Sequence, residues 1–175
     1  YNPSYSNNWS CFLLADKDAD YMHPDSSING YILGVNYSGS DDILKLWRCD
    51  NGSPEELINT GFNWQEQIGI DQFAGIEIKR TPSGIWSVSI DINGGFDDLI
   101  QIGPNISDNG YQIATFLGFH YEYSSAQDRK LWLDDIYCGP EIADTDPPFV
   151  NNIMTTTSNN LIIDFNEQIS SETAE

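Results

Sequence analysis

A segment in which apolar and polar residues alternate on both sides of a turn constrains the fold of this chain most. Apolar residues alternate with polar ones over residues 74–80 and again over residues 85–92. Pro82, Ser83 and Gly84 stand between the two runs, and residues of these types favour tight turns. Strict alternation interrupted by such a turn predicts an antiparallel hairpin in which Trp86 lies on an apolar face.

The same pattern recurs along most of the chain and places it in the all-β class. Short runs rich in Ile, Leu, Val and aromatic residues are separated by clusters of Asn, Asp, Gly and Ser, at a spacing typical of a sandwich or barrel. No segment keeps a helical apolar period for three turns, so we expect at most a helical turn near residues 71–74 or 124–128. The runs predicted as strands are residues 9–15, 30–37, 43–49, 56–61, 74–80, 85–92, 96–102, 115–123 and 130–137.

The charge balance argues against several classes of partner. The 175 residues include 27 acidic and 7 basic side chains, which gives a net charge of −20. Such a field repels phosphate backbones and anionic lipids, so we expect no nucleic-acid binding. No apolar run approaches the ~20 residues that a membrane-spanning helix needs, and we expect no membrane insertion.

The three cysteines, Cys11, Cys49 and Cys138, lie in or at the end of predicted strands. No C-x-x-C pair occurs, which argues against a zinc knuckle or a dithiol redox centre. An odd number leaves at least one thiol free. Buried free thiols are the expectation, while one disulfide of unassigned pairing stays open.

A change of pattern divides the chain at residues 141–148, an acidic stretch that ends in Pro147 and Pro148. Two prolines predict a stiff, solvated linker between a first domain, residues 1–140, and a second segment, residues 149–175. The second segment holds only two strand-like runs, which cannot bury a core of their own. We therefore expect a piece of a longer protein.

Residues 78–91 resemble the R-x-x-x-G-x-W-x-(L/V)-x-(V/I)-D hairpin of concanavalin A-like, laminin-G-like jelly rolls. The likeness is greatest to the version in large secreted surface proteins of Bacteroidetes-type bacteria. Residues 2–16, 29–47 and 116–137 resemble other strands of that family in the same order. The resemblance covers about residues 1–138 and implies an antiparallel jelly-roll sandwich in which one or more N-terminal strands are missing.

Residues 144–150 and 161–167 resemble the opening "D-x-x-P-P-x-V … L-x-(V/I)-x-F-(S/N)-E" of bacterial Ig-like domains of surface proteins. A jelly roll followed by an Ig-like segment implies a modular protein that is secreted or displayed on the bacterial cell surface.

The residue patterns of hydrolases are missing from the sequence. Related folds that cleave glycans carry E-x-D-x-x-E on one strand, which places two carboxylates on one face, and this chain has no such spacing. His23 and His120 are isolated, and a solvated or hydrogen-bonded sheet histidine is the simpler interpretation of His120. We therefore expect a protein that is not an enzyme.

Two groups of aspartates are candidate ligands of a structural Ca²⁺. Asp16, Asp18 and Asp20 alternate as in loops that collect oxygens around a hard cation, although the spacing that follows is not that of an EF-hand. Of Asp134 and Asp135 one should point inward if residues 130–137 form a strand. The family resemblance implies calcium near such strand-end acids. Solvated turns and local charge pairing are the alternatives.

Aromatic residues beside loops are the candidate sugar-stacking surfaces. Trp47, Trp86 and Trp132 lie inside alternating runs, so we expect them in the core. The residues in or beside loops that we select as ligand-binding candidates are Tyr21, Trp64, Tyr111 and Tyr123.

Three functions fit the sequence. The first is a non-enzymatic module for adhesion or carbohydrate binding, with a polysaccharide or another surface protein as partner. The second is a structural spacer or protein–protein module of a surface assembly. The third is an accessory domain of a polysaccharide-degrading enzyme.

Overall fold

The computed structural model describes residues 2–70, 72–113, 115–140, 147–157 and 160–166. The chain forms two compact units, residues 1–133 and residues 134–175. In the described part of the chain, the first unit holds eight strands and the second holds two. None of the described helices has the length and apolar character needed to cross a membrane.

Antiparallel strands make up most of the first unit, which confirms the all-β class. In chain order they are β1 (Asn8–Ala15), β2 (Gly30–Val35), β3 (Ile43–Asp50), β4 (Ser53–Asn63), β5 (Gly75–Arg80), β6 (Ile85–Asp91), β7 (Ile100–Ser107) and β8 (Phe116–Glu122). A four-residue helix, α1 (Trp64–Gln67), follows β4. It begins where the Asn63 side chain accepts a hydrogen bond of 2.9 Å from the backbone N–H of Glu66, a normal helix N-cap.

The strands form a five-stranded sheet in the order β4-β3-β2-β1-β8 and a three-stranded sheet in the order β5-β6-β7. The predicted hairpin is β5 and β6, with Ile78 opposite Val88 and Arg80 opposite Trp86. Its turn is closed by a hydrogen bond of 2.9 Å from the N–H of Gly84 to the carbonyl of Thr81. Gly84 has φ of +81°, which a glycine adopts without strain.

Both sheets contribute to one apolar core. The face of the five-stranded sheet that enters it carries Tyr31, Leu33 and Leu46, and the three-stranded sheet contributes Trp86 and Val88. These side chains are at most 3% exposed. Trp86 packs on Tyr31 with ring centroids 4.4 Å apart. Burial on this scale is the main source of stability, since each large apolar side chain contributes about 1.5–3 kcal/mol.

The opposite face of the five-stranded sheet is also apolar over half of its length. Alternation along the strands places Phe12, Ile32 and Trp47 on this face, where they form a second buried cluster. Met22 and Ile28, from the segment between β1 and β2, complete the cluster. Because apolar clusters cover both faces of the sheet, every residue of β2 is buried.

Most predicted strands are present, and two predictions need correction. Residues 96–102 were expected to form a strand, but β7 begins only at Ile100 because residues 92–99 form a turn and irregular backbone. Residues 130–137 were expected to form the last strand, and they have irregular backbone without strand pairing. Helix α1 was not expected, while the helical turn near residues 124–128 is found at Ser125–Gln127.

The three cysteines are present as thiols and not as disulfides. Cys11 and Cys49 are buried and Cys138 is exposed, and no disulfide joins any of the three, all of which lie in described residues. The open possibility of a disulfide is therefore not realised in this structure.

The second unit contains an antiparallel pair, β9 (Val150–Thr157) and β10 (Asn160–Phe165). Asn166 closes the open end of the pair, because its side chain accepts a hydrogen bond of 2.7 Å from the N–H of Phe149. Both strands were predicted. Of the proposed linker, residues 141–148, residues 141–146 lie outside the described part of the chain.

Candidate functional site

A cleft opens on the second face of the five-stranded sheet, next to the cluster formed by Phe12 and its neighbours. It has a volume of about 480 Å³, within the range of ~300–1,000 Å³ that small-molecule sites occupy. Its walls come from the start of β1, the end of β8 and two loops. The lining residues are Tyr5, Asn8, His23, Pro24, Asp25, Asn36, Tyr37, Ser38, Gly39, His120 and Glu122.

The register of the strands explains why a polar cleft adjoins an apolar cluster. Side chains in one row across a sheet lie on the same face. One row of the second face is Trp47, Ile32, Phe12 and Gly118. The next row is Lys45, Gly34, Ser10 and His120, and beyond it Asn8 lies opposite Glu122. The face therefore changes from apolar to polar within two rows.

Asn8 is the most deeply buried polar residue of the lining, with 3% of its surface exposed. Its Nδ2 donates to Glu122 Oε2 at 3.0 Å and to the carbonyl of Tyr5 at 3.3 Å. Its Oδ1 has no hydrogen-bond partner among the described residues. Buried polar atoms are usually paired, so the wall of the cleft contains an acceptor whose hydrogen bond is not made within the described protein.

His120 is half-buried in the same wall and its Nε2 likewise has no hydrogen-bond partner in the described structure. Burial lowers the pKa of His120 below its usual value, because it disfavours the charged imidazolium. Glu122 opposes this effect, and the nearby His23 adds to it. The side chain is therefore a neutral imidazole at neutral pH.

Tyr5 presents an exposed ring at the rim of the cleft, with 78% of its surface accessible. It stands at the tip of a tight loop in which the N–H of Ser4 donates to Asn7 and the N–H of Asn7 donates to Ser4, at 2.9 and 3.0 Å. Asn7 Oδ1 also accepts a hydrogen bond from the N–H of Ser124 at 2.8 Å. The backbone of the loop is therefore closed by its own hydrogen bonds and joined to the segment that follows β8.

The opposite rim, residues 36–39, is held by a reciprocal pair of hydrogen bonds. Asn36 Nδ2 donates to Asp42 Oδ1 at 2.6 Å, and the N–H of Asp42 donates to Asn36 Oδ1 at 2.9 Å. Tyr37 turns inward, packs against Phe12 and lies with its hydroxyl 3.7 Å from Cys49 Sγ. Both rims are therefore built before any ligand arrives, which reduces the entropy cost of binding.

The lining of the cleft is negative. Asp25 and Glu122 carry carboxylates, and none of the eleven lining residues is Lys or Arg. Lys45, in the row of His120, is buried and bonded to Asp41 and Glu56 at 2.5 and 3.0 Å. The cleft can accept hydrogen bonds from hydroxyl or amino groups and has one exposed aromatic ring at its rim.

The aromatic residues selected from the sequence do not line this cleft. Trp64 is only 7% exposed and packs edge-on against Trp9 in the shared core, so its selection as an exposed stacking surface is wrong. Trp47 and Trp86 are buried, as predicted, but Trp132 is 82% exposed. The core prediction for Trp132 is wrong because it assumed a strand over residues 130–137.

The three selected tyrosines differ in exposure and in hydrogen bonding. The hydroxyl of Tyr111 donates to Asp50 and Asn29; burial and then the Asp50 carboxylate raise its pKa to about 12. Tyr111 is therefore part of a polar network that supports the fold. Tyr21 and Tyr123 are about half exposed, and ligand binding by either stays a prediction.

Asp16, Asp18 and Asp20, which were proposed as calcium ligands, are not among the lining residues either. Both carboxylate oxygens of Asp16 accept hydrogen bonds from Asn29, at 2.8 and 2.7 Å. Asp18 accepts from the N–H of Asp20 at 3.3 Å, at the start of a 3-10 turn. Among the described residues, no group of three or more His, Cys, Asp or Glu side chains has an arrangement that could hold a metal ion. Calcium binding stays a prediction.

Asp134 and Asp135 belong to the second unit and are both exposed. Neither lies in a strand, and Asp135 has φ of +48°. The argument that one of them must point inward is therefore wrong, because it required regular strand alternation.

No protein-family model, curated protein or solved structure gave a match to the chain. The proposal on function is therefore based on the residues and geometry of the cleft.

Sequence reasoning missed most of the cleft. His120 and Glu122 alternate and so share a face, which the sequence does show. Asn8 lies 114 positions from Glu122, and only the pairing of β1 with β8 brings them together. Tyr5 precedes the first strand and carries no motif, so no local signal identified it.

Proposed function

We propose that this chain is a non-enzymatic, carbohydrate-binding module that uses the cleft between Tyr5 and Glu122. The observation that carries the proposal is the unpaired, buried Asn8 Oδ1 beside two carboxylates and an exposed tyrosine ring. Sugars offer many hydroxyl donors, which such acceptors bind, and one apolar ring face, which an aromatic residue covers.

The finer fold and the cellular setting are part of the same proposal. Two antiparallel sheets that share one core support a jelly-roll sandwich of the concanavalin A-like kind. The family resemblance supports a place in a secreted or cell-surface bacterial protein with adhesion as its task, and the resemblance of residues 144–167 supports an Ig-like continuation.

A binding experiment with a matched control tests the proposal. The protein is titrated with neutral and charged oligosaccharides in a calorimeter, alongside the variants Tyr5→Ala and Phe73→Ala. Tyr5→Ala should weaken binding about fivefold to tenfold, in line with the ~1–1.5 kcal/mol of an aromatic contact. Phe73→Ala, which removes an equally exposed aromatic ring outside the cleft, should leave binding unchanged.

Two results would overturn carbohydrate binding at this cleft. One is the failure of every oligosaccharide to bind, which would favour the structural-spacer or protein–protein function, or an accessory role that needs a neighbouring catalytic domain. The other is equal binding by Tyr5→Ala and the unmodified protein.

A further inference from the structure

We propose that the cleft selects sugars that carry a protonated amine over neutral and anionic sugars. This inference rests on the proposed function, because it names the class of carbohydrate that the same site takes. It follows from the functional groups that remain unsatisfied in the cleft and from the sign of their charge.

The groups that the cleft offers are mainly hydrogen-bond acceptors. Asn8 Oδ1 is buried and without a partner in the described structure. Glu122 accepts from Asn8 through Oε2, and this exposed carboxylate retains capacity for a second donor, as does that of Asp25. A ligand rich in donors therefore fits better than one rich in acceptors, and an ammonium group, with three donors and no acceptor, fits best.

The charge of the lining gives the same preference. Asp25 and Glu122 are negative, and none of the described residues that line the cleft is a Lys or Arg that could neutralise them. Two lysines close in sequence to lining residues already have other partners. Lys45 is held by Asp41 and Glu56, and Lys17 donates to Ser27 and lies over the Tyr21 ring. The chain has a net charge of −20. Its electrostatic field therefore attracts a cationic ligand and repels a sugar that carries a carboxylate or a sulfate group.

Tyr5 and His120 are compatible with a cationic ligand. The exposed face of the Tyr5 ring can cover the apolar side of a sugar and can also contact an ammonium group, whose charge is attracted to the ring face. His120 is neutral at neutral pH because burial lowers its pKa, so it adds no positive charge to the wall it shares with His23, Asp25 and Glu122.

Calorimetric titration with three ligands of similar length tests the inference. The ligands are a glucosamine oligomer, its N-acetylated counterpart and an oligogalacturonate, all at about pH 6.5, where amines are mostly protonated. The glucosamine oligomer should bind at least about tenfold more tightly than the N-acetylated one, and the oligogalacturonate should not bind. The preference should shrink as salt is raised above ~0.15 M.

Two variants that each remove one negative charge test whether the amine preference comes from the cleft. Glu122→Gln should weaken binding of the glucosamine oligomer about fivefold and leave the N-acetylated oligomer nearly unaffected, since the glutamine oxygen still accepts from Asn8. Glu66→Gln removes the same charge from an exposed helix position outside the cleft and should change neither affinity. Unchanged unfolding midpoints would show that both variants keep the fold.

The outcomes separate this inference from the proposed function. Equal affinity for the two glucosamine-based oligomers, or equal loss in Glu122→Gln and Glu66→Gln, would overturn the amine preference and leave carbohydrate binding intact. If none of the three ligands binds, the amine preference is wrong, and the wider set of oligosaccharides decides the proposed function. Preferred binding of the oligogalacturonate would also overturn the amine preference.

Discussion

At the scale of single residues, the surroundings of a polar side chain decide whether it supports the fold or remains available for binding. Asp108 is almost fully satisfied, since its carboxylate accepts from the Tyr31 hydroxyl, from Arg48 and from the N–H of Gly110. Asn8 is more deeply buried, with 3% of its surface exposed, but keeps one unpaired acceptor. We infer that Asp108 stabilises the fold, whereas Asn8 leaves an unmet hydrogen bond in the wall of the cleft.

Replacement of Asp108 tests the first half of that inference. Asp108→Ala should lower the free energy of unfolding by about 1.5–3 kcal/mol, because it removes hydrogen bonds to a charged group from a mostly buried site. Glu55→Ala removes another carboxylate from the same Arg48, but at a 60% exposed position, and should cost about 0–1 kcal/mol. Urea denaturation measures both variants, and equal losses would contradict the assignment.

The pH dependence of stability tests the environment of His120. Its pKa is lowered in the folded protein, so between that value and about 6.5 the unfolded chain binds more protons. Stability should therefore fall as the pH drops below about 6.5. His120→Gln should lose less stability than the unmodified protein between about pH 7.5 and 5.5, measured by urea denaturation. Parallel curves for the two proteins would contradict the prediction.

At the scale of elements, the β5–β6 hairpin shows how far local chemistry specifies structure. Its alternation and its turn residues are readable from the sequence, and the register agrees with them. The turn also makes tertiary contacts, because Asn109, which follows β7, lies against Gly84 and bonds to Ser83 and Arg80. The hairpin is therefore specified locally and then locked by a distant loop.

Two glycine substitutions separate these contributions. Gly84 and Gly95 both have positive φ, +81° and +86°, so either alanine variant should cost about 1–2 kcal/mol in backbone strain. A Cβ at Gly84 would also lie 2.0 Å from Asn109 Oδ1, whereas a Cβ at Gly95 would meet nothing within 4 Å. Gly84→Ala should therefore be the less stable variant in thermal unfolding. A larger loss in Gly95→Ala would show that the contact with Asn109 is unimportant.

At the scale of the whole molecule, the excess of acidic groups works against the compact state. A net charge of −20 on 175 residues produces self-repulsion that folding increases, because it brings the charges together. The same field favours solubility and repels anionic partners. Stability and ligand preference should therefore respond to salt in opposite directions.

Salt should stabilise the protein. If screening recovers about 1 kcal/mol, the unfolding midpoint should rise by ~2–4 °C between low salt and ~0.5 M sodium chloride. The rise should be smaller at about pH 5, closer to the isoelectric point of about 4.1, where fewer carboxylates are charged. Scanning calorimetry at the two pH values measures the unfolding midpoint at each salt concentration. A midpoint that falls as salt is added would argue against self-repulsion.

The sequence by itself determined the all-β class, the β5–β6 hairpin and the burial of Trp47 and Trp86. These features depend on alternation and turn chemistry within about twenty residues, and such local patterns are readable without a structure. Alternation was misleading at residues 130–137, because strand pairing needs a partner and the sequence does not name one.

Only the tertiary structure decided which residues form the cleft. Asn8 and Glu122 meet because β1 pairs with β8, and Trp64 is buried because the core closes over it. Both outcomes depend on contacts between residues far apart in the chain, where hydrogen-bond pairing and packing of side chains act on positions that no local pattern connects.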